Sequence, residues 1–275
     1  QAIESSVSQQ QDGGGDVGNN QRVAVCITGS SHGATNKKLK SMMPNFRGLM
    51  SVLKLSSAQR AEFRDWVANH DPYPVDTIHK YLYPSLKDFD VFMLLNPPDH
   101  NLTCSAYKPR ENNQSNLFCE RVEFYSPTRQ QLNISVATWN FAKLHFSPKK
   151  SKSGKPVGFE GGFLGQLWDY SRCQTMIEDE EEKSNMKYDI IVRLRADTLF
   201  VASMPEISLQ TTSEGILDIR GFGSGGEDIF NIGRRMEMGN FLNRVNDMNL
   251  ILGDRTFINA IGTGYFNAET YAIFW

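Results

Sequence analysis

Short apolar runs alternate with amphipathic stretches along this chain, and the alternation begins abruptly. Residues 1–21 are Gln, Ser, Gly and Asn with almost no large apolar side chain, so they cannot offset the entropy of ordering and read as a tail or stem. From Arg22 the pattern changes. Arg22-Val-Ala-Val-Cys-Ile-Thr28 is β-branched and apolar, ends in Gly29-Ser30-Ser31, and predicts a buried strand entering a tight loop. Ser57 can cap a helix running to about Asn69, with Ala58, Ala61, Phe63, Trp66 and Val67 on its apolar face and Pro72 beyond its end. Asp90-Val-Phe-Met-Leu-Leu95, closed by Asn96-Pro97-Pro98, predicts a second buried strand.

Residues 101–155 are of mixed polarity, are punctuated by Pro109, Pro127 and Pro148, and predict loops with at most a short strand. Helical spacing returns with Phe163, Leu164, Leu167, Trp168, Met176 and Ile177, and the acidic run Glu178 to Glu182 reads as a solvated helix end and turn. The stretch from Tyr188 to Val201 is the strongest strand signal, with charges in its second half. A short strand at Ile216 to Ile219 and a helix from Arg234 to about Val245 follow. Strands alternating with helices predict an α/β fold, a mostly parallel central sheet with helices on both faces, in one domain over residues 22–275.

Composition narrows the function classes. With 275 residues, 40% of them hydrophobic, the chain can bury a large core. A formal charge of −2 gives no basic footprint, which argues against a nucleic-acid partner. No stretch approaches the roughly 18 apolar residues that span a bilayer, so a membrane is expected only through an anchor absent from this chain. Cys26, Cys104, Cys119 and Cys173 lack the spacing of a zinc site. Cys104 and Cys119 bracket a polar loop, where a disulfide and two free thiols fit equally well. The sequons at Asn101, Asn113 and Asn133 share that segment and hint at a luminal surface.

In an open α/β sheet the ligand crevice lies outside the carboxyl ends of the strands. The first strand ends at Thr28, Gly29 and Ser30, small residues whose backbone N–H groups can approach a nucleotide, although an ordinary Gly-rich turn has the same composition. The strongest strand carries Arg193, Arg195 and Asp197 on one face, by alternation. Desolvated charges of both signs need each other or a charged ligand. A diphosphate suits them: the guanidiniums take phosphate oxygens, and Asp197 takes a metal ion or a ribose. Gly225-Gly226-Glu227-Asp228 reads as a mobile loop, with Asp228, then Glu227, the candidate base toward an acceptor hydroxyl.

Taken together, Arg22 to Cys26 with its Gly loop, Asp90-Val-Phe92, Tyr188-Asp-Ile-Ile-Val-Arg-Leu-Arg-Ala-Asp197 and Glu227-Asp-Ile-Phe-Asn-Ile-Gly233 resemble a family of eukaryotic and algal glycosyltransferase-like proteins of GT-A fold. The resemblance implies a Rossmann-like nucleotide half, a nucleotide-sugar donor and a glycan or glycoprotein acceptor, in the secretory pathway at the Golgi lumen. Relatives usually carry Asp-x-Asp at the strand end where Arg195 takes the first Asp's place here. That leaves Asp197 alone for manganese or magnesium, puts such a site in doubt, and suggests an arginine for part of the metal's electrostatic work. Glu269 also resembles an acidic position in relatives. Two rival expectations are a nucleotide-sulfate-dependent sulfotransferase and a catalytically inactive carbohydrate-binding member of the fold.

Overall fold

The computed structural model of this chain describes residues 21–29, 38–41, 55–95, 104–110, 115–121, 128–145, 149–150, 156–157, 163–196, 198–209, 216–218 and 230–247. Its strands are β1 Arg22–Thr28, β2 Asp88–Leu95, β3 Leu117–Arg121, β4 Lys149–Lys150, β5 Pro156–Val157, β6 Ile190–Arg195, β7 Ile216–Asp218 and β8 Phe230–Arg234. Its longer helices are α1 Ser57–His70, α2 Val136–His145, α3 Phe163–Ser184 and α4 Arg235–Leu242. Six strands form one sheet in the order β3-β2-β1-β6-β8-β7, while β4 and β5 pair separately. Neighbours from β3 through β6 are parallel, and β8 runs antiparallel to both β6 and β7. The fold is therefore α/β, with a mixed, mostly parallel sheet flanked by helices.

Burial on both faces explains the continuous apolar strands. Val23, Val25 and Ile27 of β1 join Val192 and Leu194 of β6 beneath Phe63 and Val67 of α1. The alternate residues Ala24 and Cys26 join Ile191 beneath Leu167, Tyr170, Cys173 and Ile177 of α3 and Met238 and Leu242 of α4. Cys26 and Cys173 form a disulfide between β1 and α3, a pairing that their distance along the chain conceals. Cys104 and Cys119 are also bonded, which resolves the open alternative at that loop. At the amino end of the sheet the buried Asp90 accepts hydrogen bonds from Arg22 Nη2 at 2.7 Å, Tyr188 OH at 2.6 Å and Asn116 N–H at 2.7 Å.

Several elements differ from expectation, each for a local reason. Helix α1 is capped by Ser56 rather than Ser57: its side chain accepts Gln59 N–H while the Gln59 side chain accepts Ser56 N–H. Asp71, at φ 46°, then turns the chain out of the helix before Pro72. The segment expected to hold loops with at most a short strand holds the short strand β3 and also α2, where Ser135 Oγ accepts Thr138 N–H ahead of an apolar helix lying between Pro127 and Pro148. Strand β6 stops at Arg195, well short of Val201. Thr198 N–H bonds back to Arg195 C=O, and residues 198–209 leave the sheet to lie against the helical turns of residues 74–85. The acidic run lies in the last two turns of α3 with Glu178, Asp179 and Glu182 exposed, as a solvated helix end requires, but Glu181 within it is a buried anchor. Phe230–Arg234, for which no element was expected before the helix, is a strand buried over its first four residues.

Candidate functional site

The chain enters the sheet at β1, proceeds outward to β2 and β3, and returns to the other side of β1 as β6. The direction of winding therefore reverses between β1 and β6, and the crevice outside their carboxyl ends is where ligands bind in open α/β sheets. Thr28 pairs with Arg195 in register, and Ala196 N–H bonds to Thr28 C=O at 2.9 Å, so the two strand ends leave the sheet together.

Gly29 occupies the first position beyond β1 with φ +98°, a conformation open to glycine and strained for L side chains. A Cβ built there meets nothing within 4 Å, so the residue faces open space among the described residues. Gly29→Ala is expected to cost about 1–2 kcal/mol through backbone strain alone. A urea melt checks this: the midpoint falls while the cooperativity of the transition stays unchanged.

The two arginines separate in role. Arg193 is 1% exposed, its guanidinium lies 4.2 Å over the Tyr170 ring of α3, and it donates long hydrogen bonds, both 3.4 Å, to Thr28 Oγ1 and Asn231 Oδ1. Its pairing opposite Asn231 of β8 and its neighbour Cys26 of β1 fix it beneath the crevice. Arg195, two residues on, is only partly buried and stands at the rim. Arg244, fully buried, lays a second guanidinium 5.0 Å from the Tyr170 centroid and 4.2 Å from that of Phe241. Such cation–π packing in a desolvated setting contributes about 2 kcal/mol per contact. Two guanidiniums thus share one ring under the end of β6.

Thr28, Gly29, Arg193 and Arg195 are brought together at this switch point. Ser30, Asp197, Glu227 and Asp228 lie outside the described residues, as does Glu269. Strand β8 opens at Phe230, which pairs with Leu194, so the chain enters β8 beside the carboxyl end of β6. Tyr170, Asn231 and Arg244 were not singled out from sequence. Only Asn231, a lone amide within an apolar strand, left a signal there. Among the described residues no three His, Cys, Asp or Glu side chains group in a way that could hold a metal ion, and no helix is long and apolar enough to cross a membrane. No protein-family model matches this chain, and no curated protein matches it.

Proposed function

We propose that this chain is a glycosyltransferase of GT-A fold that takes a sugar from a nucleotide-sugar donor to a glycan or protein hydroxyl. The observation that carries the reading is the pair Arg193 and Arg195 at the end of β6, beside the Thr28-Gly29 turn at the point where the strand order reverses. The β3-β2-β1-β6 order is that of a Rossmann-type half, which supports a nucleotide at this edge.

In this reading the Thr28-Gly29 turn, with Ser30, holds the nucleotide, because glycine adopts the turn without strain and leaves the backbone open to the donor. Arg195 takes the diphosphate oxygens from the rim, and Arg193 contributes buried positive charge while holding Thr28 in position. Stabilising negative charge on the departing diphosphate is the work these groups are suited to. Asp197 holds a divalent cation or the ribose, and Asp228, with Glu227 second, receives the acceptor proton. The two disulfides are compatible with an oxidising, secretory compartment such as the Golgi lumen.

Thermal denaturation with UDP, GDP or adenosine 3′,5′-bisphosphate, each with and without manganese, tests the reading. A uridine or guanosine diphosphate at a hundredfold excess over its Kd adds about 2.7 kcal/mol and raises the melting temperature by several degrees. Stabilisation by the adenosine compound alone points to sulfate transfer instead. Silence from all three nucleotides points to a binding module.

A further inference from the structure

On the α1 side of the sheet, opposite Arg193 and Tyr170, a cleft of about 740 Å³ opens between the last turn of α1, residues 71–84 and Pro109-Arg110. Ligand-binding clefts typically measure about 300–1,000 Å³. Its walls combine the partly exposed rings of Trp66 and Tyr73 with charged side chains of both signs.

Those charges are matched rather than surplus. Lys38 pairs with Asp71 at 2.9 Å and Arg110 with Asp76 at 2.9 Å, while the second Asp76 oxygen accepts Tyr73 N–H at 2.8 Å. Lys80, 4.9 Å from the Tyr81 ring centroid and 5.5 Å from that of Trp66, faces Glu62 at 3.5 Å. Polyanions need surplus cations and lipid tails an uninterrupted apolar lining; among the described residues of this cleft the cations are paired and the apolar surface is broken up by ion pairs. It interleaves donors and acceptors with aromatic rings. Sugar hydroxyls both donate and accept, and the C–H face of a pyranose is apolar, so a saccharide uses both features.

The floor is also preformed. Tyr83 donates to Tyr107 C=O at 2.7 Å, a His79 ring nitrogen contacts Ala106 C=O at 2.7 Å, and the Cys104–Cys119 disulfide ties this segment to β3. Less ordering entropy is then lost when a ligand enters.

We propose that this cleft binds a neutral oligosaccharide, with a sugar ring on Trp66 and hydroxyls on the Lys38–Asp71 and Arg110–Asp76 pairs. The site does not depend on the donor reading, since a transferase holding its acceptor and a binding module would both use it. Tyr107 OH also bonds to Ala196 C=O at 2.9 Å, so the floor of the cleft is fastened to the chain just beyond Arg195.

The full chain is tested against neutral di- to tetrasaccharides of hexose, N-acetylhexosamine, pentose and deoxyhexose units by glycan array and calorimetry. At least one is expected to bind, with an affinity that added salt leaves nearly unchanged. Trp66→Ala weakens it more than about tenfold, as loss of a stacking ring and its burial requires. Arg110→Ala, whose side chain is 63% exposed and whose loss leaves the fold intact, weakens it several-fold. Should Trp66→Ala fail to fold, Arg110→Ala decides. Absence of neutral-glycan binding, binding of acidic glycans only, or affinity untouched in the folded variants overturns the proposal.

Discussion

Glu181→Ala is expected to lower the unfolding free energy by about 3–5 kcal/mol, the usual consequence of removing one partner from a buried ion pair. The Glu181 side chain is fully shielded from solvent, and its carboxylate takes Arg235 through Nε at 2.7 Å and Nη2 at 2.9 Å. It also accepts Tyr188 N–H at 3.1 Å and Lys187 Nζ at 3.1 Å. One side chain thus joins the end of α3 to the start of α4 and to the entry of β6. Alanine would leave the Tyr188 N–H without its acceptor and Arg235 with only the longer contact to Glu178 at 3.8 Å. Chemical denaturation compares the two proteins; a loss below about 1 kcal/mol would mean that water replaces the carboxylate at little cost.

The same group makes a pH prediction. Burial pushes the Glu181 carboxyl up, but hydrogen bonds from Arg235, Tyr188 N–H and Lys187 outweigh it, and the net shift is downward from 4.5. A carboxyl depressed in the folded state contributes stability that is present above its unfolded value and is lost as pH falls through the folded one. Wild-type stability should therefore drop in acid below about 4.5, while Glu181→Gln, already uncharged, shows a flatter dependence there.

The second large effect comes from the disulfides. Cys26–Cys173 closes a separation of 147 residues, and removing both cysteines by Cys26→Ala with Cys173→Ala should cost about 3–5 kcal/mol through the unfolded chain's regained freedom. Both cysteines are 0% exposed, whereas Cys104 and Cys119 are only partly buried. Mild reductant under native conditions should then open Cys104–Cys119 first and leave Cys26–Cys173 intact until unfolding. Alkylation followed by peptide mass spectrometry distinguishes the two; equal labelling of all four cysteines would contradict the order.

How much of this was legible in the sequence depends on whether the physics is local. Strands β1 and β2 and the first half of the run from Tyr188 were readable because burial on both faces writes an uninterrupted apolar run. Helix α1 was readable too, with its cap displaced by one residue: either serine can serve as an N-cap, but only Ser56 stands three residues before a glutamine, Gln59. Glu181 was misread because five acids in sequence look solvated, and the residue that pairs with one of them, Arg235, lies 54 residues further on. Strand β8 went unread because it is short, contains a glycine and carries Asn231, which stands opposite Arg193 in the sheet.

At the candidate site, strand alternation correctly set Arg193 apart from its apolar neighbours, but it could not distinguish a guanidinium stacked on Tyr170 from one at the rim. In the proposed reading Arg193 supports Thr28 from beneath, and Arg195 is the side chain that a phosphate would meet. The cleft beside Trp66 was invisible for a related reason, because its walls come from segments that meet only once the 104–107 turn is fastened over residues 79–83.

Calorimetric titration of UDP and GDP into the wild-type chain and into Arg195→Ala tests the central claim most directly. One of the two nucleotides should bind the wild type, and the variant, with an unchanged near-ultraviolet circular dichroism spectrum, should bind it more than tenfold more weakly, reflecting about 1.5–3 kcal/mol for a hydrogen bond to a charged group. Equal affinity in the two proteins, or no binding of either nucleotide to the wild type, would contradict a phosphate grip at the ends of β1 and β6.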